Sequence, residues 1–170
     1  MSKSKPLPPL ERLRYRLALR SDGVLIWKRP ISSRVKAGME AGRWNKGYRY
    51  VNVERGAFAV HRIVWALANG QDPAPFEIDH INGRPEDNRP SNLRLCNRQQ
   101  NVLNTRVRTD NTSGAKGVSY DPSSISRPWR SYYKGHKLGR FGTREEAIDA
   151  LVKAVEQSGE SDYYRFHFPQ

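Results

Sequence analysis

The sequence predicts a small modular α+β protein. Its apolar runs are short and are broken at close intervals by Gly, Pro, Asn and Asp, which suits short strands and helices better than one large layered sheet. Hydrophobic residues make up only 36% of the 170 positions, so modest separate cores are expected. The pattern also changes after Gly114, where alternating runs lead into a single helix that opens on Thr143-Arg144-Glu145-Glu146.

Residues 1–9 are rich in Pro and Lys and are expected to fray. Leu10, Leu13 and Leu17 recur at helical spacing and predict a short helix over 10–19. Asp22-Gly23 reads as a turn before a short strand, Val24 to Trp27, and the polar stretch from Arg29 to Gly42 reads as loop. Tyr48 to Val53 and Ala57 to Val60, joined at Arg55-Gly56, predict a hairpin. His61 to Asn69 predicts a helix that stops at Gly70, with Ile63, Val64, Trp65 and Leu67 in the core. Asp72-Pro73-Ala74-Pro75 is a rigid connector. Residues 105–112 are polar and basic, as in a linker. Beyond them, Gly117 to Tyr120, Trp129 to Tyr133 and Lys137 to Phe141 read as three strands. In the helix that follows, Thr143 and Glu146 form a capping box, and Ala147, Ile148, Ala150, Leu151, Ala154 and Val155 supply an apolar stripe up to Gly159. The tail, 161–170, is aromatic-rich and fits no element.

Thirty Lys and Arg against seventeen Asp and Glu give a formal charge of +13, which points to a polyanionic partner. No segment is apolar enough to span a bilayer and no long basic amphipathic helix stands out, so nucleic acid is favoured over a membrane. The single cysteine, Cys96, makes no intrachain disulfide and no cysteine-rich zinc site, in keeping with a reducing interior. The N-terminus lacks the apolar stretch of a secretory signal.

Ile78-Asp79-His80-Ile81-Asn82-Gly83 carries the chemistry, together with Ser91-Asn92-Leu93-Arg94 and Asn101. Hydrolysing a phosphodiester takes a cation to balance charge on the phosphate and the leaving oxygen, and a base to activate water. Mg²⁺ prefers oxygen ligands and keeps several waters, so a carboxylate plus an amide oxygen can suffice. Asp79 offers the carboxylate, and His80 titrates near neutrality. Ideal strand geometry sends Asp79 and His80 to opposite faces, so a strand end or bulge is needed to bring both to one phosphate. Asn92 can fix the imidazole or its backbone by a hydrogen bond. Asn97, Asn101 and Asn104 share one face of a helix at i, i+4 and i+7, and each is a candidate ligand. A competing reading makes Asp-His a surface turn with the asparagines capping local structure.

These segments, with Asp87-Asn88-Arg89 and Gln99-Gln100-Asn101, resemble the phage and intron-associated branch of the HNH nucleases, over roughly residues 58–104. The resemblance implies a ββα-metal core in which Asp79 and Asn101 hold the metal, His80 is the general base and Asn92 orients it. Family spacing selects Asn101. It implies Mg²⁺ as cofactor, with Mn²⁺ able to substitute, and no zinc. The last motif position is Asn rather than His, as happens within this branch. His61-Arg62 matches a pair that precedes the core in the branch, with a structural or backbone-contact role. Arg84, Arg89, Arg94 and Arg98 surround the motif and either clamp phosphate or solvate a polar loop.

Residues 113–160 resemble the Apetala-type DNA-binding domain, on Ser113 to Tyr120, Trp129-Arg130, Leu138 to Phe141 and the helix Thr143 to Ser158. The resemblance implies a three-stranded antiparallel sheet laid in the major groove and packed on one helix. Its candidate DNA contacts are Lys116, Arg127, Arg130, Lys134, Lys137 and Arg140. Trp129 and Tyr120 either touch DNA or pack on the helix. Residues 1–57 resemble the segment that precedes the core in such phage proteins, where Trp27, Trp44 and the basic run add DNA contacts.

The combined expectation is a phage-type homing endonuclease acting in the cytoplasm of an infected host. It would be monomeric on duplex DNA and would nick one strand to leave 5′-phosphate and 3′-hydroxyl ends. A non-catalytic sequence-specific DNA-binding regulator is the alternative. An RNA-binding accessory protein is a third reading, disfavoured by the lack of aromatic platforms for single strands.

Overall fold

The computed structural model describes residues 5–54, 56–105 and 107–164. The chain divides into two compact units, residues 1–101 and 102–170. Both combine short helices with small antiparallel sheets, as the α+β expectation required.

The first unit opens with helix α1 (Leu10–Arg16). The predicted helix over 10–19 is corrected here, because Leu17–Leu19 form strand β1, paired antiparallel with β2 (Leu25–Trp27). Leu17 repeats the helical spacing of Leu10 and Leu13, but the turn at Asp22-Gly23 lets residues 17–19 take a ladder partner instead. The polar stretch that follows is largely irregular, with one isolated bridge between Ile26 and Glu40.

A three-stranded sheet comes next, in the order β3 (Arg43–Asn45), β4 (Tyr48–Val53), β5 (Gly56–Ala59). Sequence reading found the β4–β5 hairpin and missed β3, a fully exposed strand that carries no apolar alternation. Helix α2 (Val60–Asn69) follows directly and stops at Gly70, whose φ of 73° is the left-handed geometry that ends helices.

Strand β6 (Glu77–His80) pairs antiparallel with β7 (Leu93–Cys96), and helix α3 (Arg98–Leu103) follows. One hydrophobic core unites this unit: Leu13, Leu17, Leu25 and Trp27 from the start of the chain, Val51, Val53 and Phe58 from the sheet, Ile63, Val64 and Trp65 from α2, and Ile78 and Leu93 from the hairpin. Trp27, expected as a DNA contact, is 6% exposed inside that core, whereas Trp44 is 56% exposed.

In the second unit, β8 (Val118–Tyr120), β9 (Trp129–Tyr133) and β10 (His136–Phe141) form a sheet with β9 in the middle. Helix α4 (Arg144–Ser158) lies against it and opens on the expected capping box: Thr143 accepts from the Glu146 amide, and the Glu146 carboxylate accepts from the Thr143 amide. Ala147, Leu151 and Val155 line its buried face against Val118, Tyr133 and the partly buried Trp129. Trp129 thus packs toward the helix, while Tyr120 stays 55% exposed with its ring 5.2 Å from Trp129, edge to face. Of the tail, Ser161–Tyr164 form a single 3-10 turn, and the rest, with His167, lies outside the described residues.

Candidate active site

The β6–β7 hairpin has two chemically different faces. Its register sets Asp79 opposite Arg94 and His80 opposite Leu93, and strand alternation sends the two motif residues to opposite sides. His80 is the last residue of β6, and one more backbone bond, from the Ile81 N–H to the Asn92 carbonyl at 2.9 Å, follows before the chain turns away.

On one face the charges are matched. The Arg94 guanidinium donates to Asp79 Oδ2 through Nε at 2.9 Å, and a terminal nitrogen lies 2.8 Å from the same oxygen as an ion pair. Asp79 is buried, and a carboxylate there needs a charged partner. Glu77, two residues earlier on the same face, accepts a 2.6 Å hydrogen bond from Asn101 Nδ2 and lies 3.6 Å from the Arg98 guanidinium. Asn101 thus donates through its amide nitrogen, which leaves the amide oxygen as the ligand atom it can offer a cation. Sequence reading missed Glu77, although its i, i+2 spacing from Asp79 is the signal that finds it.

On the other face His80 sits among rings. His61 lies 5.1 Å from it, edge to face, and Tyr48 lies 6.3 Å away. His80 Nε2 is 3.1 Å from Asn88 Oδ1. Burial holds the His80 pKa below that of an ordinary imidazole, partly offset by the Asn88 hydrogen bond and by Asp79, so the ring is neutral near pH 7. His61, in contact with it, is pushed down to about 3 by burial and by the neighbouring His80 and Arg62.

The loop from His80 to Asn92 is tied together by side-chain amides. Asn92 accepts the Asn82 backbone N–H at 3.0 Å and donates to Asn82 Oδ1 at 2.9 Å and to the Asp87 carbonyl at 2.8 Å. Asn82 in turn donates to Asp87 Oδ2 at 2.8 Å. The Arg89 guanidinium grips the Asp87 carboxylate at 2.8 and 2.6 Å and, as the main cause, holds its pKa at about 2. Asn92 therefore spends its amide on the backbone and side chains beyond His80, and the amide at the imidazole belongs to Asn88. Sequence reading quoted Asn88 only as part of a motif. Nothing in local spacing separates it from Asn92, because the choice depends on how the loop folds back.

The structure sorts the expected phosphate contacts by what already occupies them. Arg84 is exposed, Arg98 has a 79% exposed side chain, Arg89 is engaged by Asp87 and Arg94 by Asp79. In the second unit, Arg130, Lys137 and Arg140 lie on strands. Alternation sets them on the face opposite the buried Val118, Ser131 and Tyr133. Both Arg130 and Arg140 pair with Asp121. Lys116, Arg127 and Lys134 fall outside the strands. Lys116 Nζ bonds the Val102 carbonyl and Thr105 Oγ1, and Lys134 pairs with Glu160.

Among the described residues, no group of three His, Cys, Asp or Glu side chains gathers as a metal cage. Cys96 is buried and its thiol is pushed up to about 12, chiefly by burial, so it is inert as a nucleophile. No described helix is long and apolar enough to cross a membrane.

Residues 58–103 match the family described as HNH endonuclease. Protein 3.8 of Escherichia phage T7 is 41% identical over 70 residues, covering 41% of this chain and 56% of that protein. An HNH endonuclease of Acanthamoeba polyphaga mimivirus is 27% identical over 108 residues, covering 63% of this chain and 56% of its own length. The chain thus spans little more than half the length of these curated relatives. No solved structure matches it significantly. The family match falls on the segment that holds α2, the β6–β7 hairpin and α3, and with the viral relatives it supports an HNH-type nuclease.

Proposed function

We propose that the chain is a metal-dependent DNA endonuclease of the phage homing type, which hydrolyses one phosphodiester of duplex DNA to 5′-phosphate and 3′-hydroxyl. The observation that carries this reading is the gathering of Glu77, Asp79 and Asn101 at one face of β6, with His80 next in the chain as the last residue of the strand.

The donor set suits a hard divalent cation. Asp79 and Glu77 offer carboxylate oxygens on one strand face and Asn101 offers an amide oxygen, a combination that fits Mg²⁺ or Mn²⁺, while the thiol of Cys96, opposite Glu77, is held in its protonated form by burial. The guanidinium of Arg94 on Asp79 marks that spot as one that calls for positive charge. Asp79 and Asn101 would hold the ion, which when bound supplies charge to the phosphate and to the departing 3′ oxygen. His80, neutral at working pH, takes a proton from the attacking water. Arg84 and Arg98, the exposed cations nearest the motif, grip the flanking phosphates. The outer face of the β8–β10 sheet, with Arg130, Lys137 and Arg140, reads duplex DNA in the manner of an Apetala-type domain. One such site per chain means a monomer that nicks, in the cytoplasm of a phage-infected cell.

A non-catalytic DNA-binding regulator is the second reading. It is favoured by the Arg94–Asp79 pair, which neutralises the buried carboxylate with no need of a cation. Incubating supercoiled DNA with Mg²⁺, Mn²⁺ or EDTA, and with His80→Ala, separates the two. Metal-dependent nicking reduced about 10²- to 10⁴-fold in His80→Ala supports the nuclease. Tight, salt-sensitive binding with no break supports the regulator.

A further inference from the structure

We infer that Asn88 is the residue that positions the His80 imidazole and sets its tautomer, with the Asp22-Gly23 turn as the wall that holds Asn88 in place. Both side chains are buried, His80 at 5% and Asn88 at 8% exposure, and Nε2 faces Asn88 Oδ1 at 3.1 Å. An amide oxygen only accepts, so a neutral imidazole in this contact carries its hydrogen on Nε2 and its basic lone pair on Nδ1. The amide cannot be reversed without loss. Its nitrogen faces the Glu86 carbonyl at 3.5 Å, and turning it over would set oxygen against oxygen there.

The backbone that carries Asn88 is clamped from two sides. On one side Asn92 holds the carbonyl of Asp87, the preceding residue. On the other, Gly23 lies so close that a Cβ there would fall 2.2 Å from the Asn88 carbonyl carbon and oxygen and 2.4 Å from the Arg89 nitrogen. Only glycine fits, and its φ of 82° also belongs to glycine. The turn is itself rigid: the Gly23 N–H bonds the Arg20 carbonyl at 3.0 Å, the Arg20 N–H bonds the Val24 carbonyl at 2.9 Å, and Asp22 Oδ1 accepts the Val24 N–H at 3.2 Å. The start of the chain thus acts on the reaction through backbone contact with the loop that orients the base.

The effect on rate rests on the nuclease reading; the tautomer does not, and the test uses that separation. In the ¹⁵N-labelled full chain, multiple-bond ¹H–¹⁵N correlations of the histidine rings report which nitrogen is protonated, and His80→Gln assigns the His80 signals. At mildly alkaline pH the Nε2–H pattern is expected in the wild type. Asn88→Leu, close in volume but without an acceptor, is expected to lose that preference and to slow nicking about 10- to 100-fold in kcat with KM unchanged. Gly23→Ala is expected to shift the ring signals in the same direction by less. A wild-type His80 protonated on Nδ1 overturns the inference, as does a folded Asn88→Leu chain with wild-type tautomer and rate. The predicted tautomer shift in a wild-type chain that never nicks DNA upholds the role of Asn88 and overturns the nuclease reading.

Discussion

The two units bury polar groups in different ways. In the first, Asp79, His80, Asn88 and Asn92 are all withdrawn from solvent within one short stretch of chain, and each is hydrogen-bonded to another residue of that same stretch. In the second, Ser113 is buried and bonds turn carbonyls, Ser131 is buried on the inner sheet face, and the arginines pair with Asp121 on the outer face. Burying an amide or a carboxylate is costly unless every bond is met. The first unit therefore spends structure on keeping four polar side chains in fixed geometry, which suits chemistry. The second buries one amide, Asn104, beside a core of aliphatic and aromatic side chains and presents charge on its outer sheet face.

Damage to each unit should therefore read out differently. The largest expected effect is on the second core. Leu151 is fully buried against the sheet, and Leu151→Ala should cost about 2 to 5 kcal/mol in the unfolding of that unit, seen as an early transition on heating. A single transition, shifted as a whole, would mean that the two units do not unfold independently.

Next is the outer sheet face. Replacing Arg130 and Arg140 together by Ala should weaken DNA binding about tenfold or more and lower the salt slope by roughly two, while kcat at saturating DNA stays as it was. A fall in kcat with unchanged affinity would erase the contrast.

The smallest effect expected is on pH dependence. His61 has a pKa lowered from 6.5 to about 3, so the unfolded chain binds a proton there that the folded one refuses. Its contribution to stability is complete above pH 6.5 and is lost as pH falls from 6.5 toward 3. His61→Gln should flatten the decline of the melting temperature over that range, and a wild-type slope in the variant would show that His61 does not govern it.

Sequence reading recovered what is locally encoded. The capping box of α4 and the stop of α2 at Gly70 both stand in the structure, because each depends on residues within one turn. The hairpin that carries Asp79 and His80 was legible as a motif before its register was known. Long-range pairing explains the misses. Leu17–Leu19 left the helix for a partner strand, and β3 formed with every residue exposed. Glu77 and Asn88 join the site only because α3 and the loop before β7 fold back onto β6. Glu77 is marked by its i, i+2 spacing from Asp79, but the fold-back that brings Asn88 to His80 leaves no periodic trace in the sequence.

The shared core of the first unit also bears on how this protein can be cut and reused. The matched segment begins at residue 58, yet the interior that supports it is built partly from Leu13, Leu17, Leu25, Trp27, Val51 and Val53. A truncated version starting at the family boundary would keep every motif residue and leave Ile63, Val64 and Ile78 without the side chains that cover them. Expression boundaries, grafts and chimaeras that preserve this chemistry therefore have to start upstream of α1, and the motif alone does not mark a transplantable part.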